Sequence, residues 1–149
     1  MRHSSWRGTK RTAERIKSTV KAKSVEAIVG FLPIFEQDGY DFGDWDIEDG
    51  FLPGVRYSKD VDDFIEALYR EGFVLTFDWP QWQDEASRIV EDTAALQKAD
   101  IETIRKLLTT HVRKDRFCEG HLLAMLQTGH INAILCRLNK ILGEMPGKE

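Results

Sequence analysis

No run of apolar residues in this chain comes near the ~20 needed to cross a bilayer, and only two cysteines, Cys118 and Cys136, stand among its 149 residues. The first absence excludes a helical membrane span. The second, with no apolar segment behind the basic N-terminus to suggest export, reads as two free thiols in a reducing cytoplasm rather than a disulfide framework. Phosphate-loop, dinucleotide-glycine, G-x-S-x-G and H-E-x-x-H patterns are all missing, so no short motif names a chemistry. What remains is ordinary globular composition, 42% hydrophobic and 31% charged. A chain of this length fits one domain that buries roughly two-thirds of the surface its unfolded form exposes.

The formal net charge of −4 conceals a strong segregation. Residues 1–23 hold eight Lys/Arg against Glu14, residues 36–66 hold eleven acids against Arg56 and Lys59, and residues 105–116 hold five bases against Asp115. Overall acidity argues against a general nucleic-acid binder, whose affinity scales with neutralised phosphates. Local patches of either sign can still select a partner or ligand.

Hydrophobic spacing predicts a mainly α domain, an irregular bundle of about six helices with a small β element, spanning residues 24–143. Residues 1–23 read as a basic tail or a short amphipathic helix on Ile16 and Val20, and residues 144–149 as a C-terminal tail. Ser24 reads as the first N-cap, and Pro33 predicts a break near Phe31–Leu32. The acidic, aromatic stretch 37–57 reads as a long ordered loop whose alternating residues pair in part as short strands, stapled to the bundle by Trp45, Trp79 and Trp82. Ser58 and Asp100 read as caps of later helices, and Gly72 and Gly143 as helix stops. The run F-V-L-T-F at 73–77 reads as a strand. Phe117, Leu122, Leu126, Ile134, Leu135 and Leu138 are expected in one core.

The densest chemistry lies in T-H-V-R-K-D-R-F-C-E-G-H-L, residues 110–122. Arg116 sits one residue before an aromatic expected in the core, so a structural pair with Glu119 is the first reading, leaving Arg113 freer at a helix end. The sharper reading is an anion-binding fork of Arg113 and Arg116, whose planar guanidiniums suit phosphate or carboxylate. His111, Cys118 and His121 offer metal or nucleophile chemistry, but the H-x6-C-x2-H spacing and the adjacent cations argue against a metal, and a lone cysteine beside an apolar helix is more often a small core residue. His130 reads as a capping or surface residue. Trp45, Trp79 and Trp82, with Asp44, Asp46 and Asp78, can wall a pocket.

Residues 24–142 resemble a family of small bacterial proteins classed only as a domain of unknown function. The resemblance is carried by F-L-P-I-F-E at 31–36, the aspartate-and-tryptophan loop, F-I-E-A-L-Y at 64–69, F-D-W at 77–79 and L-L-T-T-H-V-R-K-D-R-F-C-E-G-H-L at 107–122. Such domains also look like segments appended to macro domains. That implies a bacterial, cytoplasmic setting in ADP-ribose or nucleotide metabolism, with no catalytic residue carried over.

Two functions of different class therefore stand open. One is a binding module for an anionic, nucleotide- or phosphate-like molecule or a protein partner, with Arg113, Arg116, Trp45 and Trp79 as ligand-binding candidates. The other is an enzyme on a phosphorylated or ADP-ribosylated substrate, with His111, Glu119 and His121 as catalytic candidates. A third, protein interaction through the acidic 36–66 surface, follows from the charge segregation. No metal, cofactor or membrane partner is indicated.

Overall fold

A computed structural model describes residues 20–47 and 53–146. In chain order they form α1 (Ala22–Val29), α2 (Leu32–Phe35), β1 (Gly43–Asp46), β2 (Gly54–Tyr57) and α3 (Lys59–Arg70). A 3-10 turn (Trp79–Trp82) follows, then α4 (Gln83–Glu91), α5 (Thr93–Gln97), α6 (Ile101–Lys114), α7 (His121–Gln127) and α8 (His130–Glu144). The chain is mainly α with one antiparallel pair, β1 with β2, in the register Gly43 to Tyr57 through Asp46 to Gly54.

α8 is the axis of the bundle, touching α1, α2, α5, α6 and α7. Its apolar stripe Ile131, Ile134, Leu135 and Leu138 repeats every three or four residues, and all four are fully buried. Leu122 and Leu126 of α7 join the same core. Phe117 does not. It is 77% exposed, because α6 ends at Lys114 and α7 starts only at His121, leaving 115–120 as a solvent-facing connection.

Local chemistry sets the helix ends. Ser58 Oγ accepts from the Val61 amide, Asp78 from Gln81, and Asp100 from Thr103, each meeting a donor the helix cannot satisfy itself. α3 closes on Gly72 at φ 82°, with the Gly72 amide donating to the Tyr69 carbonyl and the Phe73 amide to that of Leu68. The break predicted at Pro33 falls where α1 ends and the short α2 begins, with Pro33 in its first turn.

Several expectations shift. Ser24 lies inside α1, which starts at Ala22 after an uncapped Lys21. Val20 is already buried, so the packed unit begins before residue 24. Gly143 lies within α8, which continues to Glu144 because Leu142 is buried and Met145 packs on the core. The run 73–77 is not a strand. The Thr109 hydroxyl takes the place a neighbouring strand would occupy, accepting from the Leu75 amide at 2.8 Å beside the Phe73 carbonyl at 3.2 Å.

Trp79 and Trp82 are not the staples of the long loop, and Trp45 meets the bundle only along one edge of its ring, at Gly120. Trp45 is 47% exposed, and Trp79 and Trp82 are only half-buried. Tyr40 and Phe42 do that work, packing at ring separations of 5.0–5.7 Å on one another and on Phe35. Phe35 in turn meets Phe64 edge-on at 5.3 Å. Tyr40 also donates to Asp60 at 2.8 Å. The loop residues Phe51 and Leu52 and the N-terminal Trp6 and Ile16 lie outside the described residues.

Because Leu135 is fully buried on the axial helix, Leu135→Ala is expected to lower stability by about 2–5 kcal/mol. Equilibrium denaturant unfolding with an unchanged slope checks this; a loss under half a kilocalorie would mean the axis is misplaced.

Candidate functional site: a histidine junction beside a cleft

Three helix segments converge through histidines. His111 lies in the last turns of α6, while His121 and His130 are the first residues of α7 and α8. Both starts follow a glycine in the left-handed region, Gly120 at φ 91° and Gly129 at φ 89°, which an L side chain adopts only at a cost. At Gly120 the constraint is double, since an added Cβ would lie 2.3 Å from Trp45 Cζ2. Trp45 therefore seats the hairpin on the start of α7 even though much of its ring faces solvent.

α7 has no capping side chain at its own N-cap. Its free amides are met from afar. The Leu122 amide donates to Asp115 Oδ1 at 2.9 Å, the Leu123 amide to the Tyr57 hydroxyl at 3.1 Å, and that hydroxyl donates to Asp115 Oδ2 at 3.0 Å. Burial, and then Asp115, push the Tyr57 phenol well above its ordinary value, so it stays protonated. Glu119 Oε2 accepts from the Val55 amide at 3.0 Å and adds a second tie to β2. Together these contacts fix where His121 stands.

His121 Nε2 lies 2.9 Å from His111 Nδ1, so one nitrogen donates and the other accepts. His130 meets His111 edge-on, rings 5.0 Å apart at 89°. His111 is almost wholly buried, and its Nε2 has no hydrogen-bond partner; the same is true of His130 Nε2. Burial lowers all three basicities. His111 falls well below its ordinary value through burial, then His130, His121 and Lys114. His130 falls to about 4 through burial and then His121. His121 is lowered by burial and then Lys114, with Asp115 opposing. All three are neutral at pH 7, and a neutral imidazole can both give and take a proton.

The His111–His121 pair forms one wall of a cleft of about 110 Å³ between α4, α6 and α7. Gln83, Ser87 and Glu91, four residues apart along α4, face Thr110 and Lys114, four apart along α6. Val90 and Met125 supply apolar wall. Among the described residues Lys114 has no carboxylate within ion-pair distance, although Glu91 lines the same cleft. Glu91 supplies an exposed acceptor at that rim.

The expected Arg116–Glu119 pair does not form. Arg116 is exposed, with no ion pair among the described residues, and Glu119 is taken by the hairpin. Its premise fails with Phe117, since a charge beside an exposed ring suffers no desolvation. Arg113 is half-buried, and neither arginine lines the cleft. Trp79 tilts against Phe117 with ring centroids 6.0 Å apart, outside the cleft lining. Cys118 is exposed, and its thiol makes no hydrogen bond to a histidine among the described residues. Among those residues no group of three or more His, Cys, Asp or Glu is placed to hold a metal ion; His111 and His121 spend their facing nitrogens on each other.

His130, assigned to the surface from sequence, is instead buried. The signal that finds it is the repeated Gly-His-apolar triplet, Gly120-His121-Leu122 and Gly129-His130-Ile131, two helix starts of the same kind. The α4 wall shows in the four-residue spacing of Gln83, Ser87 and Glu91.

A family model described as a family of unknown function, DUF6508, matches residues 20–144, from the first described residue to the last residue of α8. The chain belongs to this family. No curated protein matches it, and no solved structure does. The DUF6508 match includes Val20, so the unit is wider at both ends than the 24–142 stretch read from motifs.

Two predictions follow from the junction. An unfolded histidine binds its proton near pH 6.5, whereas folded His130 does so only at about 4. Between those values the unfolded state holds more protons, so stability falls as pH drops through that window and is fully present above it. Thermal midpoints from pH 7.5 to 4 are expected to decline accordingly, and His130→Gln is expected to flatten the decline; an equally steep decline in that variant would exonerate the histidine. Tyr57→Phe removes the partner of the Leu123 amide and one partner of Asp115, and is expected to cost about 1–3 kcal/mol by denaturant unfolding.

Proposed function

We propose that the chain is a binding module for a small anionic molecule of nucleotide- or sugar-phosphate type, taken in the cleft between α4, α6 and α7. One observation carries the reading: an ammonium without an ion-pair partner, Lys114, faces a cleft whose wall is a hydrogen-bonded pair of neutral imidazoles. In that reading Lys114 meets the anion's charge, His121 and Ser87 hydrogen-bond its oxygens, and Glu91 accepts from a hydroxyl of the attached sugar. A bare anion gains nothing from Glu91, which favours a ligand carrying donors as well as charge. The cleft volume suits a phosphate or a sugar, so a whole nucleotide leaves its base outside. The cation assigned is Lys114 rather than the Arg113–Arg116 fork, since neither arginine lines the cleft.

The His111–His121 hydrogen bond favours a second reading, in which His121 works as acid–base on a phosphorylated or ADP-ribosylated substrate and His111, staying neutral, fixes its ring and tautomer. Two exposed free thiols are in keeping with a reducing cytoplasm in a bacterium, and among the described residues no helix is long and apolar enough to cross a membrane.

Titration calorimetry with inorganic phosphate, AMP and ADP-ribose tests the binding reading. ADP-ribose or AMP is expected to bind more tightly than phosphate, and Lys114→Ala to weaken binding by about tenfold, the worth of one charge-assisted hydrogen bond. Equal affinity for all three probes, or no loss in Lys114→Ala, would sink it. Release of phosphate from AMP, abolished by His121→Gln with binding retained, would favour the enzyme.

A further inference from the structure

A second cleft, of about 270 Å³, opens between α5 and α8, away from the histidine pair. Ala133, Cys136, Arg137 and Lys140 recur along α8 at i, i+3, i+4 and i+7, so they share one face of that helix. Leu96 and the flanking Thr93 and Gln97 come from α5. The floor is therefore apolar, and one rim carries two cations.

We propose that this cleft is a separate binding site for an amphiphilic anion, a carboxylate on a short apolar chain. The carboxylate sits between the Arg137 guanidinium and the Lys140 ammonium, and the chain lies against Leu96 and Ala133. The charges support the assignment. Arg137 Nε donates to the Ala99 carbonyl at 2.8 Å, which orients the guanidinium and leaves both Nη groups without a hydrogen bond among the described residues. Neither Arg137 nor Lys140 has a carboxylate within ion-pair distance among those residues. The acid whose field reaches this face is Glu36, at the end of α2, where it acts on Cys136 in opposition to Lys140. A planar guanidinium held by one edge is suited to grip a carboxylate by the other. The apolar floor rejects a bare phosphate or a sugar, which would lose water there without return. This separates the site from the cleft at the histidines.

Cys136 reports occupancy. Its thiol is exposed at the cleft, and burial followed by Glu36 raises its basicity, so its alkylation is slow and easily blocked by a neighbour. In Cys118→Ser protein, where Cys136 is the single thiol, the rate of iodoacetamide labelling is measured by intact mass with and without octanoate below its micellar concentration. Octanoate is expected to slow labelling several-fold in a saturable manner, and octanol and inorganic phosphate to leave it unchanged. Lys140→Gln, at an exposed position that leaves the fold intact, is expected to raise the half-protecting octanoate concentration by about tenfold, and Arg137→Gln at least as much. Equal protection by octanol, undiminished protection in Lys140→Gln, or no protection by octanoate would each overturn the proposal. Failure here leaves the phosphate cleft untouched, because the probes and residues differ.

Discussion

The placement of α7 depends on one carboxylate. Asp115 sits at the C-cap of α6, where the negative end of the helix dipole makes an anion unwelcome. It is retained there because its two oxygens reach elsewhere, one to the first turn of α7 and one to Tyr57 of the hairpin. A charge-assisted hydrogen bond to an amide is worth more than the few tenths of a kilocalorie lost to the dipole. α6, α7 and β2 are thereby joined through a single side chain. The angle between α6 and α7 then brings His121 to 2.9 Å from His111.

The histidine junction runs against the usual logic of a core. Two buried ring nitrogens without a partner each cost about 1–3 kcal/mol, and apolar residues of similar volume would avoid it. The cost is carried by a core that is otherwise well packed, with Ile131, Ile134 and Leu108 wholly buried nearby along the same helices. Burial also explains why the rings stay neutral, since it disfavours the charged form and only Asp115 opposes it, at His121. Structural histidines are normally satisfied. Two that are not, one of them at the wall of a cleft, depart from fold consistency in the manner expected of functional positions.

Much of the fold is legible from local rules. Ser58 and Asp100 act on amides three residues away, so their spacing alone reveals them. The α8 stripe is equally plain, because one face of one helix carries it. Ser24 and Gly143 show the same local rules misplacing a helix end, and other misreadings turn on distant partners. Phe117 is apolar, but a turn shorter than a helix leaves it in water. Glu119 has Arg116 three residues away and an amide 64 residues away, and it takes the amide. The run 73–77 has the composition of a strand, yet its neighbour is a threonine on α6. The cleft at the histidines was half visible: His111 and His121 stand out in a charged stretch, while Gln83, Ser87 and Glu91 carry nothing that distinguishes them from an ordinary solvated helix face.

Charge segregation, the most conspicuous feature of the sequence, turns out to be largely structural around the hairpin. Asp60 holds Tyr40, Asp46 pairs with Arg56, and Asp63 pairs with Lys59. The two ion pairs, one across the hairpin and one within α3, are exposed and worth at most about 1 kcal/mol each. Against that background the charges that matter are the ones left over. Lys114 at one cleft, and Arg137 with Lys140 at the other, stand without carboxylates among the described residues in a chain whose acids outnumber its bases. Other cations, Arg113 and Arg116 among them, also lack an ion pair among the described residues, but they line neither cleft. Lys114, Arg137 and Lys140 line concave surfaces, each beside apolar wall, and it is this juxtaposition on which both proposed anion sites rest.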